Sequence, residues 1–140
     1  MPARRSPARA AETVEVTIPA KPEFVSVARL AAAAVAARQS FSYDDIEDLK
    51  IAVSEACTAL IVKGTAGHPL SLRFILGPNA METRIETGGP GLDLDSSTPI
   101  RRPLDEGRLG VFLMQCLVDK VEARREQGRA EVRLVKRRAR

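Results

Sequence analysis

The sequence predicts an α+β fold, a two-layer sandwich whose helices lie on one face of a mixed, mostly antiparallel sheet. Strand-like alternation recurs at five places and helical spacing at three. Their order, β-α-α-β-β-loop-α-β-β, sets strands next to strands instead of interleaving each with a helix. A length of 140 residues fits one domain with a buried core, and no internal repeat or second core interrupts it.

Residues 1–10, rich in Pro, Arg and Ala, hold nothing to bury and are expected to form a disordered basic tail. The folded domain is expected over 11–136, with a short basic tail at 137–140. Val14, Val16 and Ile18 alternate with Thr13, Glu15 and Thr17, which reads as a half-buried strand. Pro22 suits the first turn of a helix reaching about Gln39, with Phe24, Val27, Leu30, Ala31, Ala34 and Val35 on its apolar side. Ser42 then offers a hydroxyl cap, with Asp44 and Asp45 in the first turn of a second helix. Ile46, Leu49, Val53, Ala56 and Leu60 carry its helical spacing to about Lys63, where Gly64 and Gly67 end it.

Two alternating strands follow. Leu70, Leu72, Phe74 and Leu76 share one face of the first; Met81, Thr83 and Ile85 share one face of the second; Gly77-Pro78-Asn79 turns between them. Residues 87–108, rich in Gly, Pro, Asp and Ser, form a loop of a length that usually serves function. A third helix is expected from about Arg108 to Asp119, and a hairpin closes the chain, Val121–Arg125 and Ala130–Lys136 about a Gln127-Gly128 turn. The last residues, Lys136 to Arg140, read as a frayed basic tail.

Composition excludes several classes. The longest apolar run, Leu30 to Ala37, is far shorter than the roughly 20 residues that span a bilayer. No apolar stretch backs the N-terminal arginines, so no secretory signal is expected and the protein is expected in the cytoplasm. Cys57 and Cys116 have no metal-ligand spacing and are expected as buried, reduced thiols; no metal site of His and Cys is expected, and His68 reads as a solvated turn residue. The net charge is +4, but residues 1–10 and 133–140 hold eight of the 22 basic residues and no acid. The stretch between them is therefore net −4, which argues against a nucleic-acid-binding face.

Three motifs point to chemistry. They are Asp48-Leu-Lys-Ile-Ala-Val-Ser-Glu55-Ala-Cys-Thr-Ala59 on the second helix, Ile85-Glu-Thr87-Gly-Gly89-Pro-Gly91-Leu-Asp93 after a strand, and Glu106-Gly-Arg108-Leu-Gly110-Val-Phe-Leu-Met114 opening the last helix. Glycines let a backbone approach phosphates, and a helix N-terminus offers free N–H groups to anions. Together, in this order, the motifs resemble the nucleotide boxes of the anti-sigma-factor serine kinases, a branch of the GHKL ATPases, over roughly residues 12–136.

The resemblance implies a site and a set of partners. It makes Glu55 the general base for a serine or threonine hydroxyl, with Gly89, Gly91 and Gly110 cradling ATP or ADP. Residues 87–108 would be the lid. At three positions this chain departs from the pattern. Ala59 stands where the family holds magnesium with Asn, Thr87 where an Asp reads adenine, and Arg108 where the third motif has its first glycine. The Arg108 side chain could crowd the phosphates or bind them. A charge-assisted hydrogen bond contributes about 1.5–3 kcal/mol, so the loss at Thr87 alone weakens nucleotide binding by roughly ten- to a hundredfold. The plain alternative for Glu55 is a solvated helix carboxylate.

The expected function is therefore an anti-sigma factor-like regulator. It would sequester an alternative sigma factor and be countered by an anti-anti-sigma antagonist of the STAS type, with kinase activity lost or weak. The other reading is an active serine/threonine kinase acting on that antagonist with ATP and magnesium. The resemblance also implies a homodimer, and it makes Arg29 a partner contact, against an ordinary exposed helix arginine. No nucleic acid or membrane partner is expected.

Overall fold

The computed structural model describes residues 12–94 and 108–138. In chain order they form β1 (Glu12–Ile18), a 3-10 turn (Pro22–Phe24), α1 (Val25–Ala37), α2 (Tyr43–Lys63), β2 (Leu70–Leu76), β3 (Ala80–Gly88), α3 (Arg108–Leu117), β4 (Lys120–Glu126) and β5 (Arg129–Arg137). The five strands make one sheet in the order β1-β2-β3-β5-β4, and every pairing is antiparallel. The three helices cover one face, as the α+β sandwich requires. From β3 the chain passes through α3 to the far edge as β4, and β5 returns into the gap beside β3.

The core lies between the layers. Leu70, Leu72 and Phe74 of β2, Met81, Thr83, Ile85 and Thr87 of β3, and Ala130, Val132 and Leu134 of β5 point inward and are buried. Leu49, Ala52, Val53, Ala56, Cys57 and Leu60 of α2 meet them. Each fully buried leucine here contributes about 1.5–3 kcal/mol. Burial also pushes the Cys57 thiol up to about 12, because the thiolate loses its water.

Local signals set α2. The Ser42 hydroxyl accepts from the Asp45 N–H at 3.0 Å, and Gly64 ends the helix at φ 103°, where a side chain would be strained. Pro22 does open a helical segment, but as a separate 3-10 turn.

Four expectations need correction. The buried face of α1 is Val25, Ala28, Ala32, Val35 and Ala36, while Val27 and Leu30 are 43% and 61% exposed and Ala34 lies outside. The helix rolls so that its small residues meet α2, which lets the two axes approach closely. Cys116 is exposed, because α3 turns Met114 to the core and Leu109 and Phe112 to solvent. The third helix ends at Leu117 and β4 starts at Lys120.

The fourth concerns the C-terminal end, which is tied down well past Val135. The Lys136 ammonium donates to the Leu117 carbonyl at 2.8 Å and lies 3.5 and 3.6 Å from Asp48 and Asp45 carboxylate oxygens. The Arg137 N–H bonds Asp119, and the Arg138 N–H donates to the Asn79 carbonyl at 2.7 Å. Residues 1–10 and most of the expected lid, 95–107, lie outside the described residues, as do 139 and 140.

Candidate functional site

The first and third motifs meet where α2 packs on α3, and the second lies where the end of β3 meets the turn after α2. Glu55 and Ala59 stand one turn apart on the same flank of α2, beside the buried stripe of Val53, Ala56 and Leu60. Both are half-buried. Gly110, in the first turn of α3, leaves room for the Glu55 carboxylate: a Cβ there would stand 2.9 Å from Oε1. The carboxylate so sits against the positive end of α3, a favourable place for a negative charge. Ala59, one turn on, offers no oxygen to the same cleft.

The second motif packs on its own chain. Thr87 is 1% exposed, and its hydroxyl donates to the His68 carbonyl at 3.4 Å. A carboxylate at this position could not make that bond, because it has no proton to donate. Gly88 lies against the turn after α2, where a Cβ would stand 2.8 Å from the Thr65 carbonyl oxygen and closer still to the His68 ring. Gly89, at φ 90°, presses on the Gly64 carbonyl, and Gly91, at φ 74°, sits so close over Ala130 that a Cβ would stand 2.9 Å from the Ala130 Cβ. The Arg125 guanidinium donates to the Pro90 carbonyl at 3.2 Å and fastens the loop to the β4–β5 hairpin.

The structure thus sets Gly110 of α3 against Glu55 of α2, with Ala59 one turn further along α2, and places Thr87, Gly89 and Gly91 at the end of β3 and just beyond it. Arg108 opens α3, but its side chain lies outside the described residues. Arg29 is exposed on α1. His68, exposed as expected, has its Nδ1 3.2 Å from the Thr65 carbonyl and helps hold the turn on which Thr87 rests.

Arg125 and the Thr65–His68 turn were invisible to the sequence reading, since their contacts cross 35 and 19 residues. Lys136 carried a signal: it continues the inward alternation of Ala130, Val132 and Leu134, a position where lysine needs partners.

Among the described residues no cluster of three His, Cys, Asp or Glu side chains could hold a metal ion. The residues present do not complete a magnesium–nucleotide site, because Ala59 supplies no ligand and the Thr87 hydroxyl is bonded within the chain. No helix among the described residues is long and apolar enough to cross a membrane.

Comparison with known proteins gives this geometry its family. The sequence model of the histidine kinase-like ATPase domain matches residues 18–136. The chain belongs to that family. It is 41% identical over 127 residues to the serine-protein kinase RsbW of Halalkalibacterium halodurans, covering 84% of this chain and 78% of the relative. It is 36% identical over 130 residues to the serine-protein kinase RsbW of Bacillus subtilis, covering 84% and 81%.

These identities over most of both lengths put the chain in the RsbW branch of the family. A solved structure of the RsbU and RsbW domains of Rv1364c from Mycobacterium tuberculosis matches with a TM-score of 0.71 at 16% identity. It covers 92% of this chain, which spans about one third (33%) of that protein, and it establishes the fold alone.

Proposed function

We propose that this chain is an anti-sigma factor-like regulator that binds and sequesters an alternative sigma factor, is countered by a STAS-type antagonist, and has lost most or all of its phosphoryl transfer. Membership of the RsbW branch supports the regulatory role. The observation that carries the loss is the state of the cleft: Ala59 brings no magnesium ligand, and buried Thr87 spends its hydroxyl on the His68 carbonyl. Neither of two functions, holding the metal and reading the base, has its usual group. Switching then follows the relative amounts of sigma factor and antagonist. Arg29, exposed on α1, is the proposed contact to these partners. The protein acts in the cytoplasm as a homodimer.

A second reading, the active kinase, draws support from Glu55, whose carboxylate stands at the mouth of α3, and from relatives named as serine-protein kinases. Incubation of the protein with labelled ATP, magnesium and its antagonist separates the two. The expected result is no transfer above background, with Mg-ATP bound more weakly than low micromolar by calorimetry. Stoichiometric transfer that vanishes in Glu55→Ala overturns the proposal. Loss of sigma-factor capture in Arg29→Glu, with thermal stability unchanged, supports the assigned contact.

A further inference from the structure

We propose that the end of the molecule where Glu12 and Arg138 lie is a binding surface for single-stranded nucleic acid, its arginines on the phosphodiester backbone and Tyr43 stacked on an unpaired base. The inference is independent of the sigma-factor reading above.

The fold brings together residues that lie far apart in sequence. Glu12 begins β1 opposite Leu76, and Ala80 begins β3 opposite Arg137 of β5. The α1–α2 connection lies against the same end, where the Gln39 side chain donates to the Gly77 carbonyl at 2.6 Å. Arg138 ties the pieces together. Its backbone N–H donates to the Asn79 carbonyl at 2.7 Å, and its guanidinium to the Gln39 carbonyl at 3.3 Å. Arg38 lines one groove with Glu12 and Leu76. The glycine motif after β3 sits at the other end of that strand, so this surface is separate from the cleft.

The arginines here are open to a ligand. Arg38, Arg137 and Arg138 are exposed, and none of the three forms an ion pair among the described residues. On the outer face of the sheet, by contrast, Arg73, Arg84, Arg129 and Arg133 each meet a glutamate. The adjoining chain, residues 1–11 and 139–140, holds four more arginines and no acid. Arg9 and Arg140 stand three and two residues from Glu12 and Arg138, a backbone reach of at most about 11 and 7 Å. Against these seven arginines stand Glu12, Asp44 and Asp119, while Asp45 and Asp48 close on Lys136. The other 15 basic and 15 acidic residues balance, so the net charge of +4 resides at this one end.

The chemistry fits phosphates and bases. Guanidinium groups meet phosphate oxygens through paired, charge-assisted hydrogen bonds. Tyr43, the only tyrosine of the chain, opens α2 beside the arginines and is 75% exposed. The ring favours nucleic acid over lipid headgroups or an acidic protein, because base stacking uses a flat exposed aromatic face and tolerates any base.

Fluorescence anisotropy of a labelled oligothymidylate strand, titrated with the full chain, tests the surface. The expected dissociation constant is roughly 1–100 μM, and the slope of log K against log salt is near −3, for about four phosphates. Arg38→Glu/Arg138→Glu is expected to weaken binding by at least about tenfold and to flatten that slope. Tyr43→Ser is expected to weaken it by about fivefold or more with the slope unchanged. Circular dichroism shows that each variant keeps the fold. If the double variant does not, Arg137→Glu takes its place, because the backbone N–H of that residue keeps its bond to Asp119. Arg124→Glu, on β4 toward the other end of the sheet, is expected to change the affinity by less than about twofold. Binding that survives loss of the arginines, or that falls as far in Arg124→Glu, overturns the surface. So does failure to bind the strand, with or without binding to phosphatidylserine vesicles.

Discussion

Gly89 turns at φ 90° directly against the Gly64 carbonyl, so a side chain there meets both a strained backbone and an immovable neighbour. Gly89→Ala is expected to cost about 2 kcal/mol or more in urea unfolding. A loss below half of that would show that the turn can shift and that the glycine serves something other than packing. The sequence marked Gly89 and Gly91 as parts of a phosphate cradle. It could not show that each is also required by the chain itself, because Gly64 and Ala130 lie far away in sequence. Thr87 has the same character. As a letter it was a missing carboxylate; in the structure it is a buried donor bonded to His68.

Among the elements, α2 was the most legible. Its cap, its apolar spacing and its glycine stop are all local, and the structure keeps each of them. Ser42→Ala is expected to destabilise the protein by about 1 kcal/mol in the same unfolding experiment, through loss of the bond to the Asp45 N–H. An unchanged midpoint would mean that water or Asp44 takes over the cap. The buried side of α1 was not legible. A helix of seven alanines, three valines and a leucine, with Ser26 and Arg29 its polar residues, is apolar over most of its circumference, so periodicity cannot choose a face. Close packing against α2 chose it, by turning Ala28, Ala32 and Ala36 inward and leaving Val27 and Leu30 outside. The same roll leaves apolar side chains on the outer side of α1.

Over the whole molecule the two faces of the sheet differ sharply. The inner face is apolar, and the outer face carries a cross-strand row of Glu15, Arg73, Arg84, Arg133 and Glu122. Three arginines abreast would repel one another, and carboxylates offset this. Glu82 accepts from Arg133 at 2.8 Å and also pairs with Arg84, while Glu122 accepts from Arg133 at 2.7 Å. The Arg133 guanidinium, first among the causes, holds both carboxyls below the ordinary carboxylate range.

A lowered pKa in the folded state favours folding above that range, and the benefit is lost as pH falls through the folded value. Stability is therefore expected to hold from neutral pH to about 5 and to fall below about 4. Glu82→Gln should be less stable at pH 7 and show a shallower fall in acid, by chemical denaturation at each pH. Equal slopes for the two proteins would remove Glu82 from the account.

The sequence by itself determined the secondary elements, the two-layer class, the family resemblance and the three substituted motif positions. Each of these is written in neighbouring residues, where turn chemistry and periodicity act. Only the tertiary structure decided the strand order, the roll of α1, the anchoring of Lys136 and the closure of the Thr87 end of the cleft against the His68 turn. Those depend on contacts between residues distant along the chain, and packing between layers selects them from alternatives that local sequence leaves equal in energy.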